Sequence, residues 1–164
     1  MTSQEAWKAL RSWVASQVPG VPVVLAFQNA PAPAQPYIAL SKPNLSLDEA
    51  SERVYKSTTV LTESVRNHYT AVVQAWAVVE DRSTEFASDI LRRAFAMRTS
   101  STNSAALAKA GISIRNVKGP NEVPRINGSS FVSESTCTVT IAFSHTDSGT
   151  VQWIDTVNVT DNVD

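Results

Sequence analysis

The chain has 164 residues, of which 43% are hydrophobic and 18% are charged, and its formal net charge at pH 7 is −1. This length and composition allow one domain with a substantial buried core. The near-neutral charge gives no global attraction to nucleic acid or to an anionic membrane. No apolar run approaches the roughly 20 residues that a membrane-spanning helix needs. The single cysteine, Cys137, cannot form an internal disulfide, which is typical of proteins assembled in a reducing cytoplasm.

The first predicted elements are a helix and two short strands. Thr2 and Glu5 have the spacing of a capping box, and apolar residues then recur at helical spacing until Pro19-Gly20 ends the helix. Residues 21–27 predict a strand that is covered on both faces, because apolar side chains occupy both of its sides. Tyr37 begins a second short strand.

The connection between these two strands contains three prolines, Pro31, Pro33 and Pro36. Proline fixes φ and removes an amide donor, so residues 30–36 cannot join a sheet ladder and should form a stiff, extended segment. Our first interpretation is a rigid strand-to-strand crossover. The second is a surface on which a neighbouring subunit packs, and the third is a proline-rich peptide ligand.

The middle of the chain predicts a loop, a hairpin and two helices. Residues 42–53 lose the periodic pattern and are predicted to be mainly a polar loop. Residues 54–65 and 69–80 predict two long antiparallel strands, joined by a tight turn at Arg66-Asn67-His68, in a hairpin that projects or bends at a bulge. A helix is predicted to start at residues 81–85. The apolar face of that helix consists of Phe86, Ile90, Leu91, Ala94 and Phe95, and its cap is Asp81 or Ser83.

The last part of the chain predicts a short helix followed by strands. The helix runs from about Asn103 to Ala110 and ends at Gly111, and a strand follows over residues 112–117. Residues 118–130 contain two glycines and two prolines and are predicted to be a long loop of the kind that forms interfaces.

The clearest alternation in the chain, from Phe131 to Phe143, predicts a half-buried strand. A turn over residues 145–150, a last strand over 151–159 and an acidic tail over 161–164 complete the predictions. The predicted fold class is α+β, with residues 1–164 forming a single domain. In this domain a mainly antiparallel, mixed sheet carries the N-terminal and central helices on one face.

The sequence predicts no catalytic, metal-binding or cofactor-binding residue and no cofactor. It lacks a glycine-rich phosphate loop, a nucleophile elbow and a His-Glu zinc motif. His68 and His145 fall in predicted turns without a third ligand nearby in the sequence, and Cys137 is predicted to be a buried, inert thiol. The acidic residues Asp48, Glu49 and Glu52 are interpreted as part of a solvated loop rather than as a cation site.

The tryptophans and one loop are the candidates for contacts between subunits. Trp76 and Trp153 lie in predicted strands and are expected in the core. Trp7 and Trp13 also pack on the sheet in our first interpretation, and in the alternative one of them reaches a neighbouring subunit, because aromatic residues are enriched in interface cores. The candidate interface therefore comprises Trp7, Trp13, Asn121, Glu122 and Arg125.

The proline segment carries a resemblance to a known family. A helix, a short apolar strand and the pattern Gln-Asn-Ala-Pro-x-Pro-x-x-Pro-Tyr-Ile resemble the start of the neck or tail terminator proteins of tailed bacteriophages. The matching residues are Gln28, Asn29, Ala30, Pro31, Pro33, Pro36, Tyr37 and Ile38. Ala32 stands where a basic residue is expected, and Gln35 stands where an apolar one is expected. The resemblance is sharp over roughly the first quarter of the chain.

This resemblance implies a structural virion protein with a sheet flanked by helices. Such a protein forms a ring, most often a hexamer, which caps the tail tube and joins it to the head–tail connector. Its partners would be other copies of itself, the tail tube protein and the connector protein, with genomic DNA as passing cargo and no membrane involved. It would be assembled in the host cytoplasm and located in the neck or tail of the virion.

Two alternative functions stay open at this point. One is another structural tail component, either a tail tube protein or a tail completion protein. The other is a small hydrolase or nuclease, which the missing catalytic motifs disfavour. Such an enzyme would show metal-dependent turnover that is lost when Asp48 or His145 is changed.

Overall fold

A computed structural model describes residues 1–26, 31–57, 61–79, 85–127 and 130–150. Within these residues the chain forms three helices and six strands. In chain order they are α1 (Ser3–Gln17), β1 (Val23–Leu25), β2 (Tyr37–Leu40), β3 (Asn44–Ser57), β4 (Leu61–Val79), α2 (Ala87–Ala96), α3 (Ser101–Lys109), β5 (Ile112–Asn127) and β6 (Ser130–Thr150).

The six strands form one sheet in the order β1-β2-β4-β6-β5, with β3 also paired to β4. One edge of β4 pairs with β6 along almost its whole length. The other edge pairs first with β3, over residues 61–72 of β4, and then with β2, over residues 75–78. Only β1 and β2 are parallel; the other four pairings are antiparallel. The predicted α+β class with a mainly antiparallel, mixed sheet is confirmed.

The hydrophobic core lies between one face of the sheet and the helices. Successive side chains of a strand point to opposite faces, and here the odd-numbered positions of β4 and β6 are buried. On β4 these are Ala71, Val73, Ala75, Ala77 and Val79, and on β6 they are Ser133, Ser135, Cys137, Val139, Ile141 and Phe143. Helices α1 and α2 cover this face, and the rings of Trp13 and Phe95 lie between them with centroids 6.1 Å apart. The alternation predicted for residues 131–143 is therefore confirmed from Ser133 to Phe143, although Val132, on the other face, is also buried.

The sequence predicted the start and end of α1, the start of α2 and the end of α3. Three of these four, all but the start of α2, lie where the local sequence signals place them. The Glu5 amide donates to Thr2 Oγ1 over 3.3 Å and the Thr2 amide donates to Glu5 Oε2 over 2.7 Å, so the predicted capping box is present. After α1 and α3 the chain turns at Gly20 and Gly111, whose φ values of 87° and 76° favour glycine.

The start of α2 is a correction. The helix begins at Ala87 with Phe86 as its N-cap, later than residues 81–85, and Phe86 contributes no side-chain cap. Asp81 and Ser83 lie outside the described residues. Ser133 Oγ, on the facing strand, accepts a hydrogen bond from the Ala87 amide over 3.1 Å. A tertiary contact thus replaces the local cap, which sequence patterns do not reveal.

Several predicted loops and turns are strands. Most of residues 42–53 belongs to β3, the predicted turn at residues 66–68 lies inside β4, and residues 145–150 extend β6. The hairpin exists, but β3 and β4 form it, and their connection at residues 58–60 lies outside the described residues. These polar residues stay extended because neighbouring strands satisfy their backbone groups, which hydrophobic periodicity does not report.

The predicted loop over residues 118–130 is also wrong, since β5 reaches Asn127 and β6 starts at Ser130. Its turn-forming residues instead produce a shift of register between Lys118 and Asn121, where Gly119 has a φ of 100°. A Cβ at Gly119 would lie 2.9 Å from the Thr136 carbonyl oxygen, so the bulge depends on glycine.

Four side chains differ from their predicted environments. His68 and His145 lie in strands β4 and β6 rather than in turns. Trp76 is half-buried on the face opposite the core, because it occupies an even position of β4. Phe86 is 51% exposed at the N-cap of α2 instead of lying on the apolar face of the helix. Trp153, the predicted strand over residues 151–159 and the tail over 161–164 lie outside the described residues.

Candidate assembly interface

The reactive side chains are dispersed in the described part of the chain. His68 Nδ1 is 3.0 Å from Ser144 Oγ, whereas His145 Nδ1 is 3.2 Å from the N-terminal nitrogen of Met1. Strand register places the two histidines on opposite faces of the sheet, so they cannot share a metal ion. Among the described residues, no group of three or more His, Cys, Asp or Glu side chains could hold a metal.

Cys137 is 3% exposed on the core face of β6. Burial raises the pKa of its thiol to about 12, so the nucleophilic thiolate is scarce at neutral pH. The predicted burial of the thiol is confirmed, and its low reactivity stays a prediction. Within the described ranges, no helix is long and apolar enough to cross a membrane.

The face of the sheet opposite the core is here called the open face, and the described helices all lie on the other side. Its residues form rows across the strands, given by the register. One row contains Tyr37, Val78, Glu134 and Val123, and the next contains Ala39, Trp76, Thr136 and Asn121. Val123 is 48% exposed and Trp76 is half-buried. These two rows are here called the aromatic patch. Their side chains are mostly aromatic, aliphatic or neutral polar, with Glu134 as the one charged residue, which is close to the composition of interface cores.

The proline segment lies at the surface next to this face. Pro31 and Pro36 are exposed, and Pro33 is half-buried. Tyr37 is half-buried and pairs with Val78 at the start of β2. Residues 31–36 join none of the strands and connect parallel neighbours, so the predicted crossover is confirmed, while its stiffness stays a prediction. Gln28 and Asn29 lie outside the described residues.

The other candidate interface residues lie in different parts of the molecule, and Asn121 belongs to the row next to that of Tyr37. Trp13 is 6% exposed and offers almost no surface to a neighbour, whereas Trp7 is half-buried in the helix layer. Asn121 and Glu122 are exposed on β5. Their positions are fixed by β6, because Ser135 Oγ donates to the Asn121 carbonyl over 3.0 Å and Ser133 Oγ donates to Glu122 Oε1 over 2.6 Å. Arg125 occupies a β5 position opposite Val132.

The predicted projecting hairpin is here called the arm and consists of residues 51–57 of β3, 61–68 of β4 and 144–150 of β6; sequence reasoning missed its third strand, β6. Buried side chains on β4 begin only at Ala71 among those described, so the helix layer ends near this point and the three paired strands continue beyond it. The signal was present, because the sequence contains no glycine or proline between residues 44 and 110. Without glycine or proline to interrupt them, β3 and β4 reach 14 and 19 residues, compared with an average of five or six.

The edges of the sheet differ in how freely they could pair with another chain. β1 is three residues long, and Arg11 Nε donates to the carbonyl oxygen of Val23 over 2.8 Å. β5 contains Pro120 and Pro124 and two shifts of register, which interrupt its edge. β3 has no proline and a single shift of register, between Leu47 and Ser51, and it pairs only with β4 in the described sheet. The outer edge of β3 is therefore the most complete strand edge that the described residues offer.

These features define an α+β protein whose described surfaces are strand edges, an arm and an aromatic patch, and no metal-binding cluster occurs among the described residues. A family model described as phage neck terminator protein matches residues 4–164, so the chain belongs to this family. It is a structural protein of the phage virion neck, and the resemblance found in residues 28–38 is confirmed.

Solved structures show weaker likenesses. A chain from the virion of a native gene transfer agent particle is 13% identical, with 87% of this chain and 94% of that chain covered and a TM-score of 0.40. A second solved chain is 12% identical, with 86% and 96% covered and a TM-score of 0.35. Likenesses of this size carry no functional argument. No curated protein matches the chain.

Proposed function

We propose that the protein forms a closed ring, most often a hexamer in proteins of this kind, which caps the tail tube and joins it to the head–tail connector. The observation that carries the proposal is the family match over residues 4–164. The same match supports one tail-terminator-like domain spanning the whole chain. The ring is assembled from copies of this chain in the host cytoplasm, and the reduced, buried Cys137 is compatible with that compartment.

The physical mechanism is association in which one surface of a subunit meets a different surface of the next, until rotation closes the ring. The arm supports this mechanism because it extends beyond the helix layer, where it can reach a neighbouring body. The outer edge of β3 supports it because unpaired backbone donors and acceptors can add a strand from another chain. Function then consists of stopping polymerisation by shape, and the protein is not an enzyme.

The sequence-derived contacts remain part of the proposal. Pro31 and Pro36 are exposed and Pro33 is half-buried beside Tyr37 and the aromatic patch, an arrangement that suits packing of a neighbouring subunit. Trp7, Asn121, Glu122 and Arg125 are proposed as further contact residues at the helix layer and at β5. Trp13 contributes to the core, where its ring packs near Phe95, rather than to a direct contact with a neighbour.

Electron microscopy of the purified protein, alone and mixed with tail tubes, tests the proposed function. We expect single rings that bind at one end of each tube. The Val123→Asp variant places a charge in the aromatic patch and should lower the fraction of ring-capped tubes, while Gln74→Asp, at another exposed position of the open face, should not. Long polymers of stacked rings would contradict the proposal and indicate a tail tube protein. Metal-dependent turnover of DNA or an ester would indicate an enzyme.

A further inference from the structure

An aromatic side chain at the start of α2 departs from a local rule. Phe86 is the N-cap of α2, yet it is 51% exposed and makes no side-chain cap. Serine, threonine, asparagine and aspartate are preferred at an N-cap, because their side chains accept hydrogen bonds from amides of the first turn. Departures from such rules are expected mainly at functional sites, so Phe86 is a candidate for contact with another molecule.

A depression of about 210 Å³ lies where the start of α1 meets strands β3, β4 and β6. We call it the α1 pocket. Its apolar lining includes Leu45, Tyr69 and Phe143, and its polar lining consists of Thr2, Ser3 and His145. The rings of Tyr69 and Phe143 are stacked, with centroids 5.6 Å apart. Leu45 is 46% exposed, so the apolar lining is open to an incoming group.

The size and lining of the α1 pocket suit one aromatic side chain. An apolar cavity of about 150 Å³ is large enough to hold benzene, whereas sites for small molecules usually measure about 300–1,000 Å³. A phenyl ring that enters the pocket meets Tyr69 and Phe143, and aromatic rings pair favourably in offset-stacked or edge-to-face arrangements. The pocket is therefore the right size for a phenylalanine side chain and small for a separate ligand.

The Phe86 of the same chain cannot reach this pocket. The Ala87 amide donates to Ser133 Oγ over 3.1 Å, which holds the start of α2 near the beginning of β6. Phe143, which lines the pocket, follows ten residues later on the same strand, about 33 Å away along it. Phe86 and the α1 pocket thus lie at opposite ends of the sheet. A contact between two different surfaces of this kind is heterologous, which is the kind that closes into rings.

Five large hydrophobic side chains are exposed among the described residues, and Phe86 suits the pocket best. Leu45 lines the pocket itself, and Val72 and Val123 occupy positions on the open face. Met97, at the C-cap of α2, is 57% exposed. A methionine loses more rotamer freedom on burial than most residues, whereas rigid aromatic side chains are the usual anchors of interfaces.

We propose that Phe86 of one copy of this chain inserts into the α1 pocket of the next copy. Each subunit then contributes one inserted ring and one pocket, so every copy in a closed ring makes the same contact twice, once from each side. This inference rests on the proposed ring function and identifies one contact within it.

Chemical cross-linking between two variants of the full-length protein tests the contact without altering Phe86 or the apolar lining. Ser3→Cys places a thiol in the pocket, Ser88→Cys places one beside Phe86, and native Cys137 is buried. With a short bismaleimide, alone and on tail tubes, we expect a covalent dimer when the two variants are mixed. The double variant should give a ladder of larger species. Ser3→Cys mixed with Ser104→Cys, an exposed serine of α3, is the matched control and should react at least about tenfold more slowly.

Adding Phe86→Ala to Ser88→Cys gives the second readout. The cross-linking rate should fall at least about tenfold, as expected when an anchoring aromatic side chain is truncated, while Met97→Ala should leave it unchanged. The melting temperature of Phe86→Ala should stay close to that of the wild type, which a purely structural role would not allow, and circular dichroism checks the fold of each variant.

The outcomes separate this contact from the ring function. Rings or capped tubes that form without the cross-link between Ser3→Cys and Ser88→Cys overturn the contact and leave the proposed function standing. Absence of any assembly, with and without tail tubes, overturns both. A cross-link that Phe86→Ala leaves unchanged, or that only Met97→Ala slows, overturns the assignment of Phe86. Dimers formed by Ser88→Cys alone indicate a two-fold contact and also overturn it.

Discussion

Burial of a single thiol sets the reactivity of Cys137. The pKa rises from 9.0 to about 12, which lowers the thiolate fraction about a thousandfold near neutral pH. We expect iodoacetamide at pH 8 to alkylate the folded protein far more slowly than the protein in denaturant, as measured by mass spectrometry over time. Similar rates in both states would show that the core face of β6 opens readily to solvent.

Two residues at the start of α1 give the fold a dependence on pH. Hydrogen bonds from Thr2, chiefly from its backbone amide, hold the pKa of Glu5 below its ordinary value of 4.5. A lowered carboxyl pKa stabilises the folded state above the unfolded value, and this contribution is lost as pH falls through the folded value.

The corresponding prediction concerns Thr2→Ala and Glu5→Gln. Thr2→Ala should lower the free energy of unfolding by about 1 kcal/mol at pH 7, because α1 loses its N-cap. Glu5→Gln should make stability vary less between pH 7 and pH 3 than in the wild type. Urea unfolding at both pH values measures these effects, with Lys8→Gln as the control on the exposed face of the same helix. An unchanged pH dependence in Glu5→Gln would contradict the assignment.

At the scale of elements, α2 depends on a strand that is distant in sequence. Ser133 Oγ accepts from the Ala87 amide and donates to Glu122, so one hydroxyl links α2, β5 and β6. Ser133 is 1% exposed, and removal of its hydroxyl leaves a buried amide without this partner. The helix lacks a local cap, so this contact fixes where α2 begins.

We therefore expect Ser133→Ala to lower the free energy of unfolding by about 1–3 kcal/mol. It should also speed hydrogen exchange in the first turn of α2 more than elsewhere. Chemical denaturation and exchange mass spectrometry provide the two measurements, and Ser113→Ala, at an exposed position, is the matched control. Equal protection of α2 in the variant and the wild type would show that the bond does not anchor the helix.

At the scale of the whole molecule, the described helices lie on one face of the sheet and leave the open face and the arm uncovered by helices. This placement also changes how the interface should be tested. Residues 121–127 resemble a removable loop in sequence, but they are paired with β6, so their deletion would remove part of the sheet. Single substitutions such as Val123→Asp separate assembly from folding more cleanly than a deletion does.

The amino-acid sequence by itself determined the features that depend on short-range patterns. The capping box at Thr2, the helix end at Gly111 and the buried face of β6 follow from spacing and alternation, because their physical causes act over a few residues. The proline pattern likewise pointed to the family that the match over residues 4–164 established.

Tertiary structure alone decided the extent of the strands and the faces that they present. Residues 66–68 look like a turn, but two neighbouring strands hold their backbone extended. Trp76 looks like a core residue, but its even-numbered position places it on the open face. A shift of one residue along a strand moves a side chain to the opposite face of the sheet. Pairing partners lie dozens of residues away, and local patterns carry no record of them.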